Sequence, residues 1–186
     1  MKLLGASDYR VVPWKNGGGT TTELFVAGSA PEGFDWRVSI ATVASNGPFS
    51  RFEGYDRHIV CIEGDGFDLR GCPEGEIAVL PDLAPRSFSG DWHIVGHLRS
   101  GACRDFNLIA RRDLYKSSLE SHRFSGEFRS SDLQAWRFVY MLDGSVDTRG
   151  ASLSRGSGLL LEPGEVADLA GHACVIVASV APRSGS

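Results

Sequence analysis

The sequence predicts an all-β protein organised as two similar β-barrels, and three observations carry that prediction. Apolar runs are short and broken by turn residues, with 23 glycines and 8 prolines in 186 residues, a pattern that favours many short strands. Helical periodicity is scarce, and Asp113 to Glu120 offers at most a turn or two. The chain also repeats itself. Val60-Cys61-Ile62-Glu63-Gly64-Asp65-Gly66 is answered by Tyr140-Met141-Leu142-Asp143-Gly144-Ser145. Farther along, Ala78-Val79-Leu80-Pro81 running to Phe88-Ser89-Gly90 is answered by Leu159-Leu160-Leu161-Glu162 running to Leu169-Ala170-Gly171. Both pairs lie roughly 80 residues apart, too long a period for a solenoid and suited to a duplicated barrel.

The strands follow in order. Trp36 to Val43 alternates, with Trp36, Val38 and Ile40 on one face and Arg37, Ser39 and Ala41 on the other. Ser45-Asn46-Gly47-Pro48 ends it. His58 to Glu63 is a near-continuous apolar run, as in a strand covered on both faces, and Gly64-Asp65-Gly66 turns it into Phe67-Asp68-Leu69. Glu76 to Leu80, Trp92 to Leu98 and Arg104 to Ala110 complete the first half, and Trp136 to Leu142, Gly158 to Leu161 and Ala173 to Val180 the second. Arg111 to Ser131, charged and serine-rich, reads as a connector carrying one strand. The expected halves are an N-terminal barrel over 1–112, holding the ligand pocket, and a C-terminal barrel over 113–186.

Composition narrows the function. A hydrophobic content of 42%, with 23% charged residues and a net charge of -4, describes a soluble globular chain with no general attraction to nucleic acid. The N-terminal apolar run is too short for a secretory signal and no later stretch approaches a membrane span, so a cytoplasmic protein is expected. Cys61, Cys72, Cys103 and Cys174 form no CxxC pair, and reduced thiols are the simplest account.

Four groups of residues carry possible chemistry. Pro13-Trp14-Lys15-Asn16-Gly17-Gly18-Gly19-Thr20-Thr21-Thr22-Glu23 is rich in glycine, which lets a backbone approach a ligand. Its lysine precedes the glycines and a strand follows, so it is not a Walker A phosphate loop. It is either a ligand-facing loop or a plain entry to the first strand. Arg37 must face the barrel interior if both faces of its strand are covered, and a buried guanidinium needs an anionic partner. Glu63 or Asp105 would serve, as would a ligand carboxylate clasped bidentately. Arg57 poses the same alternative, an internally paired or solvated arginine being the commoner use of either. Asp105 and Asn107 share a strand face and could orient a ligand or close internal hydrogen bonds. Among the histidines, His93 and His97 are too far apart along a strand to be adjacent ligands, and only His58, beside Arg57, is placed near a pocket. Glu63 and Asp143 take equivalent places in the repeat and read as structural, and Gly-x-Ser-x-Gly is absent.

Pro13-Trp14-Lys15-Asn16-Gly17-Gly18-Gly19, Trp36-Arg37-Val38-Ser39-Ile40-Ala41, Gly47-Pro48-Phe49-Ser50, Gly54-Tyr55-Asp56-Arg57 and Asp105-Phe106-Asn107 together resemble the HutD/Ves family. The resemblance implies a bicupin, two jelly-roll-type cupin barrels in one chain. It further implies a non-enzymatic role in histidine utilisation, through binding of urocanate or a formyl- or formimino-glutamate. Ves-type relatives point instead to stress responses. Metal-binding cupins carry His-x-His, a glutamate and a later histidine. This chain has no His-x-His, Arg86 stands about where the later histidine would fall, and Pro163-Gly164-Glu165 is followed by no nearby histidine. Neither metal nor other cofactor is therefore expected. The expected ligand-binding set is Asn16, Arg37, Ser39, Arg57, His58 and Asn107, with a small carboxylate metabolite as partner, no membrane or nucleic acid, and room for a homodimer through strand edges. The alternative is a metal-independent isomerase or hydrolase of a similar carboxylate, with Glu63, Asp105 and His58 as acid/base candidates.

Overall fold

A computed structural model describes residues 1–14, 17–28 and 33–183. Its strands are β1 (Lys2–Leu4), β2 (Arg10–Pro13), β3 (Gly19–Ala27), β4 (Trp36–Val43), β5 (Gly47–Pro48), β6 (Tyr55–Glu63), β7 (Phe67–Arg70), β8 (Ile77–Val79), β9 (Arg86–Ser89), β10 (Val95–Leu98), β11 (Cys103–Arg111), β12 (Tyr115–Ser130), β13 (Trp136–Thr148), β14 (Ala151–Ser154), β15 (Gly158–Leu161) and β16 (Ala167–Pro182). A 3-10 turn at Ala6–Asp8 is the only helical element among the described residues. The protein is thus all-β, and among the described residues no helix is long and apolar enough to cross a membrane.

Contacts divide the chain into two compact units, Arg10–Leu114 and Met1–Tyr9 together with Tyr115 onward. The first nine residues group with the second unit rather than with the segment that follows them. There β1 pairs antiparallel with β15 through Lys2↔Leu160, Leu3↔Leu159 and Leu4↔Gly158.

The unit from Arg10 to Leu114 holds a six-stranded antiparallel sheet, β2-β3-β4-β11-β6-β9, and a four-stranded one, β5-β10-β7-β8. Val43, Ile59, Cys61, Phe88 and Cys103 from the first sheet meet Phe67, Leu69 and Val79 from the second in one apolar cluster. Phe67 has no exposed surface; truncating it to alanine would cost about 3–5 kcal/mol. Neither sheet closes into a hydrogen-bonded ring, so the expected closed barrel is not present among the described residues. The short edge strands account for this in part: β2 ends at Pro13 and β5 at Pro48, residues with no N–H to extend a ladder.

The second unit is built on one sheet, β1-β15-β13-β16-β12, with β14 paired to the far end of β13. Val139 and Val146, from the two halves of β13, share a buried cluster with Leu153, Leu159, Leu161, Leu169 and Val175, so the sheet wraps over its own apolar face. The stretch expected to carry one strand does so, and the suggested helical turn is corrected. Most of Arg111 to Ser131 forms β12, a sixteen-residue strand that replaces the suggested helical turn from Tyr115 onward. Its partner β16 decides this, bonding in unbroken register from Tyr115↔Pro182 to Ser130↔Ala167.

The sequence repeat has a counterpart in backbone geometry. In β6, Ile62 is an extra residue between the pairs Asp105↔Cys61 and Arg104↔Glu63. In β13, Leu142 is extra between Met141↔Val175 and Asp143↔Cys174. Each bulge is followed by a glycine at positive φ, Gly64 at 89° and Gly144 at 81°. A side chain at Gly64 would lie 2.8 Å from the Ala102 carbonyl, and one at Gly144 would strike the His172 carbonyl. The acidic-Gly pairs of the repeat are therefore bulge exits, where the chain must pass a neighbouring backbone.

Candidate ligand-binding site

Three adjacent strands of the six-stranded sheet, β4, β11 and β6, form the floor of a cavity of about 500 Å³. Register sets its layout. Ile109 lies between Arg37 and Arg57, Asn107 between Ser39 and Ile59, and Asp105 between Ala41 and Cys61. Because side chains alternate, Arg37, Ser39, Arg57, Asp105, Asn107 and Ile109 all line the cavity.

The walls come from loops. Trp14 closes one side, its indole N–H donating to Thr21 Oγ1 at 2.8 Å. Gly19 must be glycine to admit that indole, since a Cβ there would lie 3.1 Å from the ring and strike the Thr42 carbonyl. The glycine-rich segment lies at the β2–β3 connection, where Pro13 and Trp14 are the described residues that line the cavity. Pro48, Phe49, Ser50 and Phe52 supply the other wall.

Arg57 is 6% exposed. One terminal N–H donates to the Ser50 carbonyl at 3.1 Å, and the guanidinium lies 4.9 Å from the Phe88 ring and 5.4 and 5.5 Å from Phe49 and Phe52. Such cation–π contacts offset part of the desolvation. Burial still pushes its pKa down to about 10, with Asp105 acting in the opposite sense, so it is a cation at neutral pH. Arg37 stacks at 4.8 Å from Phe34 and 5.2 Å from Phe52. Its ion pair is with Glu23 of β3, at 3.7 Å, a length that leaves most of its hydrogen-bonding capacity unused. Burial lowers its pKa, against the attraction of Glu23. The Nε atoms of both arginines are buried without a hydrogen-bond partner.

Asp105 has no exposed surface. Its Oδ2 accepts from the Asn107 amide at 3.2 Å, while Oδ1 is buried and unpartnered. Burial raises its pKa to about 7, opposed by the Asn107 hydrogen bond and by Arg57.

Of the expected set, Arg37, Ser39, Arg57 and Asn107 come together at this cavity. His58 does not line it. Adjacent residues on a strand face opposite ways, and His58 turns from Arg57 to meet Ser87 Oγ at 2.8 Å. Asn16 lies outside the described residues. Glu63, considered as a partner for Arg37, instead pairs with Arg104 at 3.1 Å in an exposed position. Trp14, Thr21, Phe49, Ser50 and Phe52 were not in the expected set. Trp14, Thr21 and Gly47-Pro48-Phe49-Ser50 lay within the motifs, whereas Phe52 carried no signal. Among the described residues no group of three or more His, Cys, Asp or Glu side chains gathers as a metal site, and all four cysteines are free and buried.

The second unit carries a counterpart. Arg137 pairs across from Ser179 as Arg57 pairs across from Ile109, at the same distance from the bulge. It is 1% exposed and donates through both terminal nitrogens, to Ser130 Oγ at 2.8 Å and to the Glu165 carbonyl, while its Nε, like those of Arg37 and Arg57, has no partner. The positions matching Asp105 and Asn107 hold Val175 and Val177, both packed into the core.

The fold and site define an all-β protein with a largely apolar cavity, carrying two arginines, set into one sheet face. The HutD family model matches residues 6–177, and the chain belongs to that family. It is 42% identical over 121 residues to an uncharacterized 21.2 kDa protein in the hutC 3' region of Pseudomonas putida, covering 64% of this chain and 63% of that one. Protein Ves of Escherichia fergusonii is 34% identical over 116 residues, 60% of each chain. The chain therefore spans less than two thirds of the length of these curated relatives. The structure of HutD from Pseudomonas fluorescens SBW25 (formate condition) superimposes with a TM-score of 0.83 at 34% identity, covering 98% of this chain and 99% of that one.

Proposed function

We propose that this chain is a non-enzymatic binding protein of the HutD type, whose cavity takes a small carboxylate from histidine breakdown, urocanate or a formyl- or formimino-glutamate, and so moderates histidine utilisation. The observation that carries the reading is the pair of arginines lining one cavity, Arg57 buried and Arg37 partly buried, each with an Nε that no group of the protein answers. A carboxylate is the group whose geometry answers a guanidinium fork. Charge-assisted hydrogen bonds contribute about 1.5–3 kcal/mol each. Two or three of them, after association costs, give a Kd of roughly micromolar to millimolar, suited to a sensor or buffer. The histidine pathway is favoured by family membership and by the Pseudomonas putida relative, which is named for the hutC 3' region. We also read the two units as cupin-type halves of a duplicated chain, a reading supported by the matching bulges at Ile62 and Leu142.

Calorimetric and thermal-shift titration with urocanate and formylglutamate tests this. Ligand at about 100 times Kd should raise stability by about 2.7 kcal/mol. No heat and no thermal shift with either at millimolar concentration would end the reading.

One observation favours an enzyme instead: Asp105 is a buried carboxyl whose pKa lies at about 7, suited to proton transfer. Glu63 and His58, the other acid/base candidates, lie away from the cavity. Turnover of either compound by the wild type, abolished in Asp105→Asn, would establish that reading.

A further inference from the structure

Along the cavity floor the polar side chains are sorted by charge. Arg37 and Arg57 form a cationic row about Ile109, Ser39 and Asn107 a neutral one, and Asp105 stands between Ala41 and Cys61 as the acidic end. Rows on one face are two residues apart, so the arginines and Asp105 are separated by roughly 13 Å of backbone. The long arginine side chains shorten that gap to the length of a small molecule.

Each end keeps an unanswered group. At the arginine end the unpartnered atoms are donors, Nε of Arg37 and of Arg57; at the other the unpartnered atom is an acceptor, Asp105 Oδ1. Internal pairing does not answer them. Arg57 directs a terminal N–H to the Ser50 carbonyl, and Asp105 receives the Asn107 amide on its other oxygen. Buried polar groups are rarely left unpaired, and each one left so is costly. A simple carboxylate satisfies only the arginine end. A guest that satisfies both has acceptor oxygens at one end and a donor at the other.

We propose that Asp105 is the specificity-determining residue of this cavity and selects, among small carboxylates, those that carry an N–H donor at the end remote from the carboxylate. The inference rests on the reading of the cavity as a carboxylate site and narrows its guest. In a competing arrangement, a protonated Asp105 would donate to the guest's own carboxylate and no distal donor would be needed. The two differ in pH dependence. Around Asp105 the charged or titratable side chains are Arg57 and Cys61 of β6, Cys103 of its own strand, and Arg37 two rows away on β4. Burial raises the pKa of both thiols, which leaves Asp105 as the group that titrates near neutrality.

The test compares 5-aminopentanoate with hexanoate, which differ by an ammonium in place of a methyl, in calorimetric titrations near pH 8. The wild type should bind the amino acid at least about tenfold more tightly. In Asp105→Asn that preference should fall to within about threefold, and in the wild type it should shrink as pH is lowered through 7 and Asp105 takes up a proton. Equal affinity, or a preference for hexanoate, in the wild type would overturn the inference and leave the carboxylate site standing. Hexanoate binding that strengthens as pH falls would identify the competing arrangement and likewise overturn it. Binding of neither compound at about 20 mM would remove the carboxylate site and this inference with it. Should Asp105→Asn fail to fold, the wild-type comparison across pH decides alone.

Discussion

Replacing Asp105 with asparagine should stabilise the folded protein, by an amount that depends on pH. The carboxyl has no exposed surface, and burial raises its folded pKa from 3.8 to about 7. Below the unfolded value both states hold the proton and burial of this group carries no charge penalty. Between the two values the folded state keeps a proton that the unfolded state releases, so stability falls as pH rises. Above 7 the full penalty applies, about 4 kcal/mol from a difference of roughly three pKa units at 1.36 kcal/mol each. Asparagine removes the titration but brings an amide whose second donor or acceptor is left unpaired, a loss of about 1–2 kcal/mol. Asp105→Asn should therefore be more stable than the wild type by about 2–3 kcal/mol near pH 8, and equal or slightly less stable near pH 4.5. Urea unfolding followed by tryptophan fluorescence across that range measures the difference. In heat the gain corresponds to about 4–12 °C for a chain of this length. A difference that does not vary with pH, or a variant less stable near pH 8, would refute the reasoning. Either result would mean that Arg57 holds Asp105 charged strongly enough to outweigh its burial.

Arg57→Met should weaken carboxylate binding at least tenfold, about 1.4 kcal/mol or more, and should raise the Asp105 pKa further by removing a nearby positive charge; calorimetry and carboxyl NMR titration read the two effects. Gly64→Ala forces a side chain into a φ of 89° and to 2.8 Å from the Ala102 carbonyl, and should cost at least about 2 kcal/mol in urea unfolding; an unchanged midpoint would show that the bulge exit relaxes freely. Arg112 donates to Asp56, Asp91, Ser89 and the Tyr55 carbonyl at 2.6–2.8 Å. Arg112→Ala should therefore lower stability by about 1–3 kcal/mol, the half-exposed position moderating the loss, and a change below 0.5 kcal/mol in urea would discount the network.

Strand periodicity was readable wherever a strand is covered on both faces. Trp36–Val43 and Gly158–Leu161 have the bounds their residues announce. β12 was not readable as one long strand because it lies at a sheet edge, half exposed, where polar residues occupy either face. In the site, alternation placed Arg37 with Ser39 and Asp105 with Asn107. The same rule of two separates His58 from Arg57, so that histidine's distance from the cavity follows from its position alone. The partner of Arg37 was not deducible. Glu23 reaches it from β3 across a register shift between Glu23 and Phe25, and no local pattern announces a bulge in a strand rich in threonine.

Arg57 and Arg137 separate what the chain dictates locally from what only long-range packing settles. Residue order alone placed Arg57 at the entrance of one apolar strand and Arg137 inside another, in stretches of the chain that answer each other. Only tertiary structure decided that they differ. Arg137 finds a hydroxyl and a carbonyl from its own unit, above valines that fill the space, whereas Arg57 shares an open cavity with Asp105 and Asn107. The reason is physical: a buried charge is satisfied by whichever groups the pairing of distant strands brings within hydrogen-bond reach, and that pairing is a property of the whole sheet.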